Sequence, residues 1–439
     1  MLVLIFHATA PTDAGPLVQA LAEARRALAE RQRVAFLAAG ADVAEVVAGP
    51  PDGLTFGERL AAEVGARAAT WPAHATGPSG AGPSGAGPRG AGPSGAGPSS
   101  DTVRQPGSGA TDRRGAAAAS PSAAAPLPTS TPSSAPLFGG LVVLGSGSIP
   151  LATDADLRRF VEVAAGPGGQ ALANNRYSAD VVAVSSAADL AGLPPLPADN
   201  ALPRWLEERA GVAVADLRLR WRLAVDVDTP LDLIVLRDAA ARGLLATAPL
   251  IGERLAALVD MMSNRRAELL VAGRISVTTL KWLERGVACR VRALVEERGL
   301  RAASRLAQAD AAAGATHATA AGAGAAPRRP PRSILGELLD RDGPDALAQT
   351  VARLADAAVI DTRVLMAHHH GVDEATWPSP EDRFASDLLV PASIADPWLR
   401  ALTSSAILAP SDHPIVLGGH TLVNGGLRLL ATRARAGTR

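Results

Sequence analysis

The sequence predicts an α/β protein, in which a mostly parallel sheet sandwiched by helices is followed by a helix-rich mixed C-terminal domain. Apolar runs of strand length alternate with helical patterns over about the first 240 residues, which is typical of a parallel sheet with covering helices. The runs at 2–6 and 141–144 are continuously apolar, as expected of strands that are buried on both faces. After about residue 248 the pattern changes to successive helices, which predicts the C-terminal domain.

The first predicted elements follow directly on one another. After the first strand, the polar loop His7–Gly15 leads into a helix for which Thr12 or Asp13 is the expected N-cap. The run Arg33–Leu37 predicts a second strand, and residues 60–64 lie in a further helix. Apolar residues recur at helical spacing in the first helix, at Leu17, Leu21, Ala24 and Leu28.

The α/β pattern is interrupted and then resumes. Residues 141–144 predict a strand, Gly145–Ser148 a tight turn, and Thr153 the cap of a helix that reaches about Val163. The continued alternation indicates one domain that is split by an insertion. Its remaining predicted elements are a strand at 180–184, a helix at 202–209, an extended segment at 221–227 and a helix opened by Thr229-Pro230.

The interruption is low-complexity sequence. A Gly-Ala-Gly-Pro-Ser unit of five residues repeats and then gives way to a stretch rich in Ser, Ala and Pro, so few side chains can be buried. We therefore predict a disordered insertion at 75–136 within a first domain formed by 1–74 and 137–247. The C-terminal domain, 248–439, contains a predicted flexible linker at about 308–327.

The C-terminal domain is predicted to be mainly helical. Two of its short helices, on either side of Gly286 and with several arginines nearby, allow a helix-turn-helix DNA reader. Glutamates dilute the basic face, so packing on the first domain is the preferred interpretation. Helices are expected at 251–262, 264–271, 278–285, 288–298, 334–339, 347–357 and 394–402, and strands at 358–365 and 414–417.

The composition limits which classes of binding partner and which cellular compartment we expect. The 43 basic and 43 acidic residues give a net charge of zero, so no global field attracts nucleic acid or anionic lipid. No apolar run approaches the ~20 residues of a membrane helix, and the apolar start indicates a strand rather than a signal peptide. The single cysteine, Cys289, fits a reducing cytosol. We expect a cytoplasmic protein that binds small molecules; the sequence leaves the oligomeric state open.

The most specific motif is WRLAVDVDTPLDL at 221–233. An extended run that ends in Asp226-X-Asp228 places carboxylates at the carboxyl edge of a sheet, where open α/β folds bind ligands. The alternative interpretation is that Asp228 only caps the helix that follows it.

This motif resembles the closing segment of the nucleotidyltransferase-like (GT-A-like) families related to the molybdenum-cofactor, phospholactate guanylyl- and cytidylyltransferases. In those families an Asp-Thr-Pro-x-Asp-Leu run ends the sheet. Residues 52–60, DGLTFGERL, and 141–152, LVVLGSGSIPLA, resemble a helix start and the central strand of the same families, in the same order. The resemblance covers about residues 1–240 apart from the insertion.

The resemblance implies Mg²⁺-dependent transfer of a nucleoside monophosphate from an NTP to a phosphorylated or carboxylate acceptor, with release of pyrophosphate. Asp228 matches the Mg²⁺ ligand of the families, with Asp226 as the alternative ligand and Asp232 at the second acidic position. Ser148 stands where the families have a metal-binding Asp, and the loop His7–Gly15 contains no Lys or Arg. Two hypotheses follow: an active nucleotidyltransferase, or a catalytically degenerate domain that binds a nucleotide or sugar-nucleotide and supports the C-terminal domain.

Two polar segments are candidates for holding substrate. The turn at 145–148 offers backbone N–H groups and two hydroxyls to an anion, or is a simple Gly/Ser turn. In the cluster at 174–176, the arginine suits a phosphate or carboxylate and the asparagines suit a base or sugar, with a capped loop as the alternative. The candidate substrate-binding residues are Gly145, Ser146, Gly147, Ser148, Asn174, Asn175 and Arg176.

Polar residues also concentrate in the C-terminal domain. Asp361 and Arg363 share a face of one predicted strand and suit a structural pair, while the Gly-rich turn around His420 allows close approach of a ligand. The consecutive histidines His368–His370 lack the spacing of metal ligands. A third hypothesis, that the chemistry lies wholly in this domain, rests on these residues. The candidates are Asp361, Arg363, Asp382, Arg383, His420 and Asn424.

Overall fold

Two β-sheets organise the chain in the computed structural model, which describes residues 1–50, 53–68, 139–190, 192–196, 199–296, 332–371 and 373–437. The first sheet contains β1 (Leu2–Ala8), β2 (Val43–Gly49), β3 (Leu141–Gly145), β4 (Gln170–Ala173), β5 (Val181–Val184) and β6 (Ala213–Asp216). The second contains β7 (Glu268–Gly273), β8 (Arg290–Val295), β9 (Ala357–Asp361) and β10 (Ile415–Gly418). Helices pack on both sheets, so the predicted α/β class is confirmed.

Fourteen helices lie in the described residues. They are α1 (Pro16–Ala38), α2 (Phe56–Ala68), α3 (Asp154–Ala164), α4 (Leu202–Glu208), α5 (Pro230–Leu236), α6 (Ala241–Thr247), α7 (Pro249–Ser263), α8 (Val277–Gly286), α9 (Ile334–Asp342), α10 (Leu347–Ala352), α11 (Thr362–His370), α12 (Pro380–Asp387), α13 (Pro397–Leu408) and α14 (Leu427–Gly437). None of these helices combines the length and apolarity needed to cross a membrane.

The first sheet is mixed and has the strand order β2-β1-β3-β5-β4-β6. β1 pairs in parallel with β2 and β3, β4 pairs in parallel with β6, and β5 runs antiparallel to both β3 and β4. Because β5 is reversed, its first residue, Val181, lies opposite Leu144 near the end of β3. The ends of β1, β3 and β4 and the beginning of β5 therefore meet at one edge.

The second sheet is wholly parallel and has the order β10-β9-β7-β8. Its strands end at Gly273, Val295, Asp361 and Gly418, so these residues lie along one edge. Both sheets belong to one compact unit, and apolar residues of α1, including Leu21, pack in the same core as the strands of the second sheet. The predicted domain boundary after residue 247 stays a prediction.

The first helix is longer than predicted. Residues Arg33–Leu37, predicted as a strand, belong to α1, where Phe36 is fully buried on the continuation of its apolar face. The second strand is β2 instead. Gly15 is the N-cap of α1, so the prediction of Thr12 or Asp13 as N-cap was wrong.

The segment 221–227 is not a strand, although the sequence predicted one. Trp221–Ala224 forms a single 3₁₀ turn, and the following residues continue without regular structure. The apolar residues Leu223, Val225 and Val227 are buried as in a strand, which explains the misleading pattern. The helix predicted at Thr229-Pro230 is confirmed as α5.

Two predicted helices of the C-terminal part are strands. The segments 264–271 and 288–298 contain β7 and β8, which pair with each other in parallel. A short buried apolar run has the same pattern in a strand and in a helix, so periodicity does not separate the two. Because the second of these segments is a strand, the helix-turn-helix hypothesis is excluded.

The strand predicted at 358–365 ends at Asp361. Asp361 is the N-cap of α11 and accepts a hydrogen bond from the backbone N–H of Arg363 at 3.2 Å, so the two residues do not share a strand face as predicted. α10 ends earlier and α13 begins and ends later than predicted.

The predicted insertion at 75–136 and the predicted linker at 308–327 lie outside the described residues. Most other predicted elements are confirmed. The confirmed strands are 2–6, 141–144, 180–184 and 414–417, and the confirmed helices are those at 60–64, 153–163, 202–209, 251–262, 278–285 and 334–339.

The amino end of α1 is capped by a residue from far along the sequence. The Glu381 carboxylate, on α12, accepts hydrogen bonds from the backbone N–H groups of Leu17 at 3.0 Å and Val18 at 3.1 Å. Gly15 leaves room for it, because a Cβ at this position would overlap the Glu381 carboxyl group. A negative group at a helix amino end is favourable, so this contact ties α1 to α12.

We expect Gly15→Ala to lower the free energy of unfolding by about 1–2 kcal/mol, because the added methyl group displaces the carboxylate from its two N–H donors. Urea denaturation measures the loss. In a Glu381→Ala background the same change should cost little. Gly168→Ala is the matched control, because its Cβ meets open space. An equal loss with and without Glu381 would contradict the proposed cap.

Candidate functional site

A cleft opens where the ends of β1 and β3 lie side by side. Phe6 is opposite Gly145, and the Ser146 backbone N–H donates to the Phe6 carbonyl at 2.8 Å, after which the chain leaves the sheet through the predicted turn. The cleft has a volume of about 390 Å³. Four carboxylates and two guanidinium groups line it, from Asp180, Asp199, Asp226, Asp228, Arg25 and Arg59.

The segment after the 3₁₀ turn lies directly against the turn that follows β3. The Val227 backbone N–H donates to the Gly147 carbonyl at 2.8 Å. A Cβ on Gly147 would approach the Val227 carbonyl oxygen to 2.7 Å, so glycine is required for this contact. Asp226, Asp228 and Ser148 consequently line the same cleft.

Asp228 does not cap α5, contrary to the alternative interpretation of the motif. Thr229 is the N-cap, and Asp232 completes a capping box with it. The Asp232 carboxylate accepts the backbone N–H groups of Asp228 at 2.9 Å and Thr229 at 2.7 Å. These bonds fix the backbone of Asp228 and leave its side chain available to the cleft.

The second sheet contributes a histidine to the same group of side chains. His420 follows β10, and ligand atoms of Asp226, Asp228 and His420 all lie within 4.8 Å of one another. The Thr421 hydroxyl donates to the Asp226 carboxylate, and the Asp226 backbone N–H donates to the Thr421 oxygen at 3.2 Å. Two carboxylates and one imidazole are donors that suit a divalent cation such as Mn²⁺, and the carboxylates also suit Mg²⁺.

The two carboxylates of the motif differ in their protonation. Burial raises the pKa of Asp226 well above its ordinary value, and the charges of Asp228 and Asp180 raise it further. Desolvation opposes ionisation of Asp228, but Arg25 and His420 outweigh it and lower the pKa of that group. A cation bound between the two would favour the ionised form of both.

Asp180 and Asp199 were not recognised from the sequence. Asp180 precedes the reversed strand β5 and so reaches the edge at which β3 ends. Asn174, one of the predicted residues, holds it there: its side-chain amide donates to Asp180 at 2.8 Å and to the Leu223 carbonyl at 2.8 Å. Burial, together with the Asp228 charge, raises the pKa of Asp199 to about 6.

Two arginines supply the positive charge that the first loop lacks. Arg25 of α1 donates to the Asp228 carboxylate at 2.8 Å and to the Val227 carbonyl at 2.5 Å. Arg59 of α2 also lines the cleft. Arg25 is three helical turns into α1, so a search confined to the loop after β1 could not identify it.

The other predicted substrate-binding residues have different surroundings. Asn175 accepts the backbone N–H of Tyr177 at 3.0 Å, and Arg176 forms an ion pair with Glu207, so neither lines the cleft. In the turn, the N–H groups of Ser146 and Ser148 donate within the protein, which leaves mainly hydroxyl groups for a ligand.

Two of the six C-terminal candidates, Asp361 and Arg363, form ion pairs next to the second sheet. Asp361 accepts two hydrogen bonds from Arg274, at 2.6 and 3.2 Å. Arg363 forms a buried two-bond pair with Asp387, at 2.5 and 2.7 Å. Both pairs are largely buried, so loss of one partner would leave an uncompensated buried charge.

The remaining candidates cap or position other groups. Asp382 accepts the backbone N–H groups of Ala395 and Asp396 at 3.0 and 2.9 Å. Arg383 lies over the Trp377 ring, 5.8 Å from its centroid. The side-chain amide of Asn424 donates to the carbonyls of Arg274 at 2.8 Å and His420 at 3.0 Å, so it fixes the loop that carries His420.

Comparisons with known proteins give no relative for this chain, since no protein-family model, curated protein or solved structure matches it.

The pKa of Asp199 predicts a pH-dependent stability. Between about pH 4 and pH 6 the folded protein holds a proton that the unfolded chain has released, so stability falls as the pH rises through this window. Asp199→Asn stays neutral, and we expect it to raise the melting temperature by about 2–4 °C at pH 8 and to leave it unchanged at pH 4. Exposed Asp412, changed to Asn, is the control. The same melting difference at both pH values would contradict this assignment.

Proposed function

We propose that this protein is a nucleotidyltransferase-like enzyme that binds an NTP with a divalent cation, Mg²⁺ in the first instance, in the cleft. It would transfer the nucleoside monophosphate to a phosphorylated or carboxylate small molecule and release pyrophosphate. The observation that carries the proposal is the convergence of Asp226, Asp228 and His420 beside two arginines at a sheet edge. Phosphoryl-group chemistry depends on neutralisation of the phosphate charge by a metal ion and by cationic side chains.

Each group has a role in this proposal. Asp226 and Asp228, with His420, would hold the cation, which supplies electrostatic stabilisation to the phosphates when bound. Arg25 and Arg59 would bind phosphate oxygens, because a guanidinium donates two hydrogen bonds in the geometry of a phosphate. The buried side of the cleft, at the end of β1 and β3, would exclude water from the reacting groups.

The rival hypothesis is a binding domain without transfer activity. Ser148, a weaker cation ligand than a carboxylate, stands at the position of a metal-binding Asp in the families that the sequence resembles, and this favours the rival. Asp180 and Asp199 favour the enzyme, because they add two carboxylates to the same cleft. Release of pyrophosphate separates the two hypotheses.

Calorimetric titration of ATP, GTP, CTP and UTP, with and without Mg²⁺ or Mn²⁺, tests the proposal. We expect one nucleotide to bind only with the cation, and Asp228→Ala to weaken that binding by about 100-fold or more, because the variant removes a charged ligand. The exposed residue Asp412, changed to Ala, is the matched control. Failure of all four nucleotides to bind would overturn both the enzyme and the rival hypothesis.

His420 follows β10 of the second sheet, so its contribution to the cation site can be tested separately from that of the two aspartates. His420→Ala should weaken Mn²⁺ binding by about 10-fold or more, by loss of one ligand. Mn²⁺ affinity is measurable from the paramagnetic relaxation of water protons. His413→Ala, at an exposed position just before β10, should bind Mn²⁺ like the wild type. Unchanged affinity of the His420 variant would remove the second sheet from the cation site.

A further inference from the structure

A second cavity lies next to the cleft and shares one residue with it. This cavity, of about 300 Å³, lies between the loop after β1 and the first turns of α1. His7, the penultimate residue of β1, lines both spaces. Two ligands, one in each space, would therefore both lie next to His7.

The ring of His7 is held in a defined orientation. His7 is 3% exposed, and its Nδ1 lies 3.1 Å from the Ser146 hydroxyl oxygen. Both residues are fixed by the main chain, since the Ser146 backbone N–H binds the carbonyl of Phe6, the neighbour of His7. The serine therefore sets which ring edge faces the cavities.

The surroundings of His7 keep it in the neutral form. Burial lowers its pKa, and the positive charges of Arg25 and Arg26 lower it further. Around the ring, Glu23 and Arg26 face the second cavity. The charged groups on the cleft side are Arg25, Arg59, Asp180, Asp199, Asp226 and Asp228. In the neutral tautomer in which Nδ1 carries the hydrogen and donates it to the Ser146 hydroxyl oxygen, Nε2 keeps a free lone pair that can accept a proton.

The second cavity also offers a place for an anionic group. Arg26 lines it together with the hydroxyl groups of Thr9 and Thr12. Among the described residues no carboxylate forms an ion pair with Arg26, although Glu23 lines the same cavity. A phosphate or carboxylate of a ligand would find a guanidinium and two hydroxyl donors there.

We propose that the second cavity binds the acceptor, that this acceptor is an alcohol that also carries a phosphate or carboxylate group, and that His7 accepts the proton of its hydroxyl. This inference rests on the proposed function. A phosphate or carboxylate oxygen is already ionised near pH 7 and has no proton to lose as it attacks. A buried neutral imidazole between the two spaces is the group that an alcohol nucleophile requires.

The reaction balances without a further reactant. The acceptor oxygen forms a bond to the α-phosphorus of the NTP as the bond from that phosphorus to the bridging oxygen breaks. Pyrophosphate leaves with the bonding electron pair, and the hydroxyl proton passes to His7, which later releases it to solvent. General base catalysis of this type contributes about 10²–10⁴-fold to a rate.

The test uses the full-length chain and two probes, sn-glycerol 3-phosphate, which carries a hydroxyl and a phosphate, and propyl phosphate, which lacks the hydroxyl. Both should bind to protein that is saturated with cation and a non-hydrolysable NTP analogue, and Arg26→Gln should weaken both by about 10-fold or more. His7→Gln should leave binding of nucleotide and probes within about twofold. It should lower pyrophosphate release with glycerol 3-phosphate, or with water alone, by about 100-fold.

Controls and outcomes separate this inference from the proposed function. The exposed variants His413→Gln and Arg265→Gln should behave as the wild type. Ser146→Ala keeps the imidazole but frees the ring, and it should lower the rate of pyrophosphate release. A wild type that binds no NTP overturns the proposed function. A wild type that binds NTP but neither probe overturns the acceptor cavity. A wild type that binds NTP but releases no pyrophosphate overturns the proposed transfer activity. Pyrophosphate release by His7→Gln at the wild-type rate overturns the role of His7 alone.

Discussion

The candidate site depends on the contact between the Val227 N–H and the Gly147 carbonyl. This bond holds the segment that carries Asp226 and Asp228 against the turn after β3, and it requires a glycine at position 147. On the other side, Thr421 binds Asp226. Since the segment has no strand ladder of its own, these contacts and the capping box at Thr229 replace one.

The carboxylates of the cleft repel one another in the folded state. Several carboxylates face one small space. Burial and the charge of Asp228 raise the pKa of Asp232, which caps α5, to about 7. Arg25 offsets part of this repulsion by its bond to Asp228. Such groups lower stability unless a ligand neutralises them, and clusters of perturbed carboxylates are characteristic of functional sites. The repulsion among these carboxylates therefore lowers the stability of the folded protein in the absence of a ligand.

Sequence patterns identified the parts of the candidate site that lie in or directly after buried apolar runs. The turn at 145–148 and the pair Asp226 and Asp228 were found because each follows a buried apolar run. Asp180 was missed because it precedes its strand, and only the antiparallel direction of β5 brings it to the same edge. Arg25 was missed as a site residue because it lies well inside a helix, where an arginine usually faces solvent.

The second sheet was harder to predict, for a different physical reason. β7 is a short, buried apolar run, and such a run has the same composition in a strand and in a helix segment. β8 is a half-exposed edge strand that contains two exposed arginines, so its sequence offers no continuous apolar run. His420 was a candidate only for a separate site of the C-terminal part, because its proximity to Asp226 spans 194 positions of sequence and depends on how the two sheets meet. The hydrophobic pattern of the sequence around each residue does not predict such a contact.

The groups around Asp226 come from distant positions in the sequence, and this affects the order in which the site can form during synthesis. The strands β1 to β6 leave the ribosome early, but the cap of α1 is residue 381 and the histidine of the cluster is residue 420. A nascent chain that has folded only its first sheet would expose a row of carboxylates without their imidazole partner. Under the proposed function, the cation site would therefore be completed only after the second sheet has folded.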